Sequence, residues 1–183
     1  MGLPYEMRIA VGLDVSSVKP GWAVVVNGHL RQFGVVRKSQ IPFACRIAQE
    51  VAERVMACCT FAGGKHTIIP VVAIEVQRGP IPAFKREKLK ECYRMEGRIL
   101  QMLGCNDPYH VPASREKKAA RRRRIELKYQ SDLKKLDEWY ATAPGPARRT
   151  KSLSSVPEDA IDAIAVADAA WAKTLGERPR GYA

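Results

Sequence analysis

Four carboxylates stand at positions in this sequence where acidic side chains could hold metal ions. Asp14 and Glu75 each come at the end of an apolar run of strand length, at residues 8–14 and 68–76. Asp159 and Asp162 lie near the start of a predicted Ala-rich helix, about 60° apart on one face, whereas Asp168 falls roughly opposite Asp159. Hard oxygen ligands of this kind suit Mg²⁺ or Mn²⁺. Two such ions about 4 Å apart can activate a water and stabilise the departing oxygen in phosphodiester hydrolysis.

Each acid also has an ordinary structural explanation. Asp14 opens a turn at residues 14–17, in which Asp and Ser side chains commonly bond to nearby backbone. Glu158 and Asp159 in a first helical turn complement the helix dipole without any further role. Asp162 is harder to explain in this way, because it lies beyond the first turn of a helix that we expect to pack on a sheet. A carboxylate held at a largely apolar interface needs a cation beside it.

The elements that must position these acids form a predicted α/β sheet with helices on its faces. Residues 8–36 are expected to be a three-strand meander, and the pattern then predicts a helix at 42–59, a strand at 68–76, a helix at 83–103 and a strand at 107–112. If the strands that end at Asp14 and Glu75 are parallel neighbours, both carboxylates emerge at the carboxyl edge of the sheet, the customary ligand site of α/β folds. A last helix crossing that edge with its N-terminal turns would add Asp159 and Asp162.

A basic segment at residues 113–151 separates the predicted sheet from the last helix. It holds 13 Lys and Arg against five Asp and Glu, so it carries +8 of the net charge of +12. Such clustering favours nucleic acid as a partner over a merely solvated helix face. Residues 113–140 lack Gly and Pro and are predicted to form one helix, and residues 141–155 a mobile loop. The candidate nucleic-acid-binding residues are Arg78, Lys85, Arg86, Lys117, Lys118, Arg121, Arg122, Arg123, Arg124, Arg148, Arg149 and Lys151.

The last helix is predicted at residues 156–174, with Ser155 as N-cap and Glu158 completing a capping box. No apolar run reaches the roughly 20 residues that a membrane-spanning helix needs, and no secretory pattern opens the chain. We therefore expect no membrane partner and a cytoplasmic, DNA-associated protein, or an organellar one if the source is eukaryotic. The five cysteines form no Cys-x-x-Cys pair and read as reduced packing residues rather than zinc ligands.

Three motifs, in this order and at these separations, resemble the RuvC-type Holliday-junction resolvases of the RNase H-like superfamily. The first is Gly12-Leu13-Asp14-Val15-Ser16 followed by Gly21-Trp22-Ala23-Val24, and the second is Ala73-Ile74-Glu75. The third, Asp159-x-x-Asp162-Ala163 at the start of an Ala-rich helix, is the most specific. The resemblance covers residues 8–112 and 156–172.

The resemblance implies an RNase H-like fold: a five-stranded mixed sheet, made of a three-strand antiparallel meander plus two parallel strands and flanked by helices. It implies one domain over residues 1–183, with a basic insertion at about 113–155. It also implies a homodimer whose two active sites nick two strands of a four-way DNA junction symmetrically. Asp14, Glu75, Asp159 and Asp162 match the metal-binding carboxylates of the family, which use two Mg²⁺ per site, and Mn²⁺ is expected to substitute.

Two departures from the family pattern are visible. An aromatic residue commonly follows the second carboxylate and intrudes on junction bases, whereas this chain has Gln77-Arg78-Gly79-Pro80 and only later Phe84. The basic insertion is also longer than expected for bacterial members, which suggests a phage, viral or organellar relative. Two other functions stay open: a different RNase H-like nuclease that cuts flaps, RNA–DNA hybrids or precursor RNA, and a non-catalytic nucleic-acid-binding module.

Overall fold

The structure, a computed structural model, describes residues 7–16, 19–36, 44–63, 71–76, 85–112, 114–142 and 156–176. Five strands lie within these ranges: β1 (Ile9–Asp14), β2 (Gly21–Val26), β3 (His29–Val35), β4 (Val71–Val76) and β5 (Tyr109–Pro112). Five helices accompany them: α1 (Ala44–Gly63), α2 (Arg86–Met102), α3 (Lys118–Lys128), α4 (Gln130–Thr142) and α5 (Glu158–Thr174).

The strands form one mixed sheet in the order β3-β2-β1-β4-β5. β2 pairs antiparallel with β1 and with β3, whereas β4 runs parallel to both β1 and β5. The predicted meander and the predicted pair of parallel strands are both confirmed. Continuous apolar runs such as Val71–Ile74 suit these central strands, because helices cover both faces of the sheet.

The alternation of side chains along β1 divides the core into two layers. Val11 and Leu13 point with Trp22 to the side where Ile47 of α1 and Ile99 of α2 pack. On the opposite side, Ala10 and its neighbours face α5, whose packing residues are mostly alanine. The small side chains on this second side let α5 lie very close to the sheet.

Two glycines make that close approach possible. A Cβ atom on Gly12 would lie 2.2 Å from the carbonyl oxygen of Ala163 and 2.2 Å from the amide nitrogen of Ala167. A Cβ on Gly21 would lie 2.1 Å from the carbonyl oxygen of Asp159. Only glycine fits at either position, because the obstructing atoms belong to the backbone of α5 and cannot turn away.

The single helix predicted at residues 113–140 is wrong, because the chain forms α3 and α4 with a break at Tyr129 (φ −106°, ψ 21°). The Tyr129 side chain is fully buried, and its hydroxyl donates a 2.8 Å hydrogen bond to Asp168 of α5. Just beyond the break, Asp132 accepts a 2.9 Å hydrogen bond from the backbone amide of Leu30 in β3. The bend allows both contacts, and tertiary bonding overrides the helical propensity of the segment.

The predicted start of the last helix is also wrong. Pro157 is the N-cap of α5, no side chain caps the helix, and the carbonyl oxygen of Pro157 accepts the amides of Ala160 and Ile161. Glu158 therefore begins the helix instead of completing a capping box. Ser155, the predicted N-cap, lies outside the described residues.

The five cysteines are free thiols, as predicted, but they are less buried than packing residues would be. Cys45 is exposed and the other four are partly buried. Burial raises the pKa of Cys59 to about 11, so its thiol is protonated and weakly reactive at neutral pH. Within the described part of the chain, no helix is long and apolar enough to cross a bilayer.

We expect Gly12→Ala to destabilise the protein by at least about 3 kcal/mol, because the new methyl group would displace the α5 backbone. Thermal and urea denaturation, followed by circular dichroism, measure the loss. The matched control is Gly97→Ala in the exposed part of α2, where a Cβ meets nothing within 4 Å. In the control, the free energy of unfolding should rise by about 0.5–1 kcal/mol. Equal effects at the two positions would contradict the packing described for α5.

Candidate functional site

Two of the four predicted acids lie side by side at the carboxyl edge of the sheet. Asp14 is the last residue of β1, and the parallel register pairs Leu13 with Ile74 of β4. Glu75 follows Ile74 directly, so both carboxylates leave the sheet at the same edge. Asp14 and Glu75 therefore have the predicted arrangement, at the carboxyl ends of neighbouring parallel strands.

The other two predicted acids reach this edge from α5. The helix packs across β1, β2 and β4, and its first turn passes over Gly21, the β2 residue opposite Asp14. Because Gly21 has no side chain, the backbone at Asp159 can come within contact distance of the sheet. Asp162 follows one turn later on the same face.

Electrostatics indicate that the other three acids lie close to Asp14. The pKa of Asp14 rises from 3.8 to about 7, and burial of its carboxyl group is the largest cause. The carboxylates of Asp162, Glu75 and Asp159 add to the rise, in that order, while the positive charge of Arg121 opposes it. Such mutual repulsion is the condition under which a cation is bound.

Three of the acids have partners from the protein itself. Glu75 accepts a 2.9 Å hydrogen bond at Oε1 from the backbone amide of Ser114, just after β5. Asp162 forms a salt bridge and hydrogen bond with Arg121 of α3. Asp159 forms an ion pair with Lys19, although its buried Oδ2 atom has no partner in hydrogen-bond geometry.

The donor set fits a divalent cation in its chemistry, since it consists of carboxylate oxygens around a buried acid with a raised pKa. As the side chains lie, however, no three His, Cys, Asp or Glu residues within the described ranges are grouped to hold one ion. The contacts of Asp162 and Asp159 explain this, because two of the carboxylates are turned toward basic side chains.

Comparisons with known proteins find likeness in structure alone. No protein-family model matches this chain, and no curated protein has significant sequence similarity to it. The Thermus thermophilus RuvC structure in complex with a Holliday junction substrate is 16% identical, with a TM-score of 0.49 over 94% of this chain and 99% of that one. A second Thermus thermophilus RuvC structure is 17% identical, with a TM-score of 0.48 over 93% and 99%.

A Thermus thermophilus ROK hexokinase is also 17% identical, with a TM-score of 0.37 over 66% of this chain and 39% of the hexokinase.

The fold is RNase H-like. The strand order and the strand directions of the sheet are those of this fold, and they agree with the fold expected from the three sequence motifs. The fold does not fix the function, because one fold can host many activities, and the function depends on the residues of the site.

Three of the four arginines at 121–124, which were predicted to bind nucleic acid, contact acids of the protein itself. Arg121 is buried against Asp162, and Arg122 bonds to Glu158 at 2.8 Å and to the carbonyl oxygen of Val156 at 2.9 Å. Arg124 contacts Glu116 and Asp168, each at 3.1 Å. Of the four arginines, Arg123 alone is exposed.

The remaining candidate DNA-binding residues divide into two groups. Those that the structure describes are exposed at the first turn of a helix or just before it: Lys85, Arg86, Lys117 and Lys118. The others lie outside the described residues: Arg78, Arg148, Arg149 and Lys151. Lys117 and Lys118 follow Ser114, the residue that bonds to Glu75, so their charges lie beside the carboxylate edge.

Two site residues were missed by sequence reasoning. Lys19 lies in the turn that links β1 to β2, where its amide donates to the Ser16 hydroxyl at 3.1 Å. Its position five residues after Asp14, in the predicted turn, was the one sequence feature that could have indicated a basic residue beside the acids. Ser114 bonds to Glu75 through its backbone amide, for which no side-chain pattern could have served as a signal.

Asp168 does not join the site, in agreement with its position on the helix. It accepts hydrogen bonds from Tyr129 at 2.8 Å and from Arg124 at 3.1 Å, and it forms an ion pair with Lys128. Its side chain is buried among these donors. Asp14 and Asp168 are therefore two largely buried acids in opposite electrostatic surroundings.

Asp14→Asn should raise the stability of the metal-free protein by about 1 kcal/mol or more at pH 8. A raised pKa means that the ionised Asp14 destabilises the folded protein. This destabilisation is absent below pH 3.8, the pKa of Asp14 in the unfolded chain, and is complete above about pH 7. Thermal denaturation in EDTA measures the change. Asp168→Asn is the matched control and should lower the stability, because Asp168 has three donors. A loss of stability in Asp14→Asn would contradict the crowding of charges at this edge.

Proposed function

We propose that this protein is a Mg²⁺-dependent endonuclease that resolves four-way DNA junctions by paired, symmetric nicks. The observation that supports it most is the crowding of three carboxylates around buried Asp14, at the edge of an RNase H-like sheet. A site that concentrates negative charge inside a chain with a net charge of +12 suits metal-assisted phosphodiester chemistry.

In this proposal Asp14, Glu75, Asp159 and Asp162 hold the ions. Two bound Mg²⁺ would supply an activated water and stabilise the departing oxygen. The Ser114 amide fixes the orientation of Glu75 by its 2.9 Å hydrogen bond. The glycine contacts keep α5 against the sheet, so that its two acids stay in place relative to Asp14.

The DNA path in this proposal follows the exposed cations next to the carboxylate edge. Lys117 and Lys118 begin α3 immediately after the chain leaves β5, and Lys85 and Arg86 begin α2. Because α2 connects the parallel strands β4 and β5, it must start at their carboxyl edge. Both groups can therefore neutralise phosphates on either side of the cut.

The proposed dimer brings two such sites together, as symmetric nicking requires. Its contact is the outer face of α2, where Tyr93 is 50% exposed and Leu89 and Cys92 are only partly buried. An apolar stripe of this kind on a helix surface is typical of a face that packs against a partner.

A non-catalytic nucleic-acid-binding module is the second candidate. The pairing of Asp162 with Arg121 and of Asp159 with Lys19 favours it, since both acids already have cations. Such a module would bind nucleic acid without a metal requirement. Cleavage assays separate the two functions.

With Mg²⁺, the protein should cut a mobile four-way junction in preference to a flap, an RNA–DNA hybrid or plain duplex, and EDTA should stop it. Glu75→Gln should reduce cleavage to background while junction binding persists, because a metal ligand is lost and repulsion of phosphates falls. Denaturing gels and mobility shifts measure the two quantities. Glu53→Gln, the same change on the exposed face of α1, is the matched control. Full nicking by Glu75→Gln would count against the site, and preferential cutting of the flap or hybrid would favour the other nuclease function.

Replacing Lys117 and Lys118 by Ala should weaken junction binding and reduce the slope of log K against log salt by about 2, because each lost phosphate contact removes about 0.9. Fluorescence anisotropy over a salt series measures the slope. Lys134 and Lys135 of α4 provide a control of equal charge, since α4 begins beside Leu30 at the opposite edge of the sheet. A greater effect of the α4 pair would move the DNA path away from the carboxylates.

A further inference from the structure

We propose that Arg121 is an internal counter-ion of the site that competes with the divalent cation for the carboxylate of Asp162. The proposal rests on the proposed function, because it takes Asp162 to be a metal ligand. It assigns to Arg121 a positioning role in the metal site instead of the DNA contact expected from the sequence.

The first support is the burial of the pair. Only 7% of the Arg121 side chain and 14% of the Asp162 side chain are exposed. A guanidinium stays charged at every physiological pH, so at this depth it needs an anion, and Asp162 provides one. The pair is therefore a fixed part of the metal-free protein rather than an incidental surface contact.

The second support is the position of the positive charge within the carboxylate cluster. Arg121 holds Asp162, which lies one turn beyond Asp159 on the same face of α5. The backbone at Asp159 passes over Gly21, the β2 residue opposite Asp14. The Arg121 guanidinium thus offsets part of the repulsion that a metal ion would otherwise offset. Two cations at one carboxylate exclude each other by charge and by occupancy of the same oxygen.

The third support is that α3 is held to α5 by contacts other than the Arg121 pair. Arg122 bonds to Glu158 and to the Val156 carbonyl oxygen near the start of α5. Farther along α5, Asp168 accepts from Arg124 and from Tyr129. The helix pair therefore stays together if Asp162 changes partner, and Arg121 can be replaced without removing α3 from the protein.

The geometry explains why no three acids within the described ranges are grouped around one ion. Asp162 has its Oδ1 atom on the Arg121 guanidinium. A divalent cation that binds this oxygen has to displace the guanidinium. The Arg121 pair stabilises the four crowded acids in the absence of metal, at the expense of metal affinity.

The test measures Mg²⁺ and Mn²⁺ binding to the full chain by titration calorimetry, together with melting temperature in EDTA and across a MgCl₂ series. Arg121→Met should have a lower melting temperature than wild type in EDTA. Because a competing charge is gone, it should bind Mg²⁺ roughly tenfold or more tightly than wild type, and Mg²⁺ should raise its melting temperature by more than it raises that of wild type. Arg121→Gln, a second neutral variant, should do the same. Arg121→Lys retains a charge and should restore most of the wild-type affinity.

Arg124→Met is the matched control, because it removes an arginine of the same helix whose acidic partners are Asp168 and Glu116. It should lower the melting temperature equally in EDTA and in Mg²⁺ and leave the metal affinity unchanged.

Unchanged or weaker Mg²⁺ binding in the two neutral Arg121 variants overturns the proposal, as does failure of both to fold with or without Mg²⁺. If wild type binds no divalent cation, the proposed function itself fails. If wild type binds Mg²⁺ and cuts junctions but the Arg121 variants match its affinity, only this inference fails.

Discussion

The close packing of α5 against the middle of the sheet is the constraint on which the site depends. Gly12 and Gly21 leave room for the helix backbone, and the alanines of α5 face them. This contact brings acids from the end of the chain to the strand ends of its first half. Because the contact is between backbones, it fixes the acids more firmly than flexible side-chain packing would.

The same contact creates an electrostatic problem that the fold has to solve. Four acids near one another raise the free energy of the folded protein unless cations balance them. Arg121 and Lys19 provide part of this balance, and the hydrogen bond to Glu75 provides another. The basic segment therefore has two roles in the proposal: Arg121, Arg122 and Arg124 neutralise the protein's own carboxylates, and exposed lysines near Ser114 face the nucleic acid.

The sequence predicted those features that depend on local pattern. Unbroken apolar runs predicted β1 and β4, and the acid at the end of each run is one of the four proposed metal ligands. The helical period placed Asp159 and Asp162 together and Asp168 apart. The sequence did not predict the partners of the arginines on α5, because those acids lie 36 to 44 residues away along the chain. The break at Tyr129 was missed for the same reason, since contacts with α5 and β3 impose it.

Anomalous diffraction from crystals soaked in MnCl₂ tests the shared metal site most directly. If Asp14 is the common ligand of two ions, the map will show two peaks about 4 Å apart at the carboxyl edge, with the Asp162 carboxylate turned from Arg121 toward one of them. A map with no peak beside Asp14, and with the Arg121 pair intact at saturating Mn²⁺, would contradict the metal-dependent nuclease.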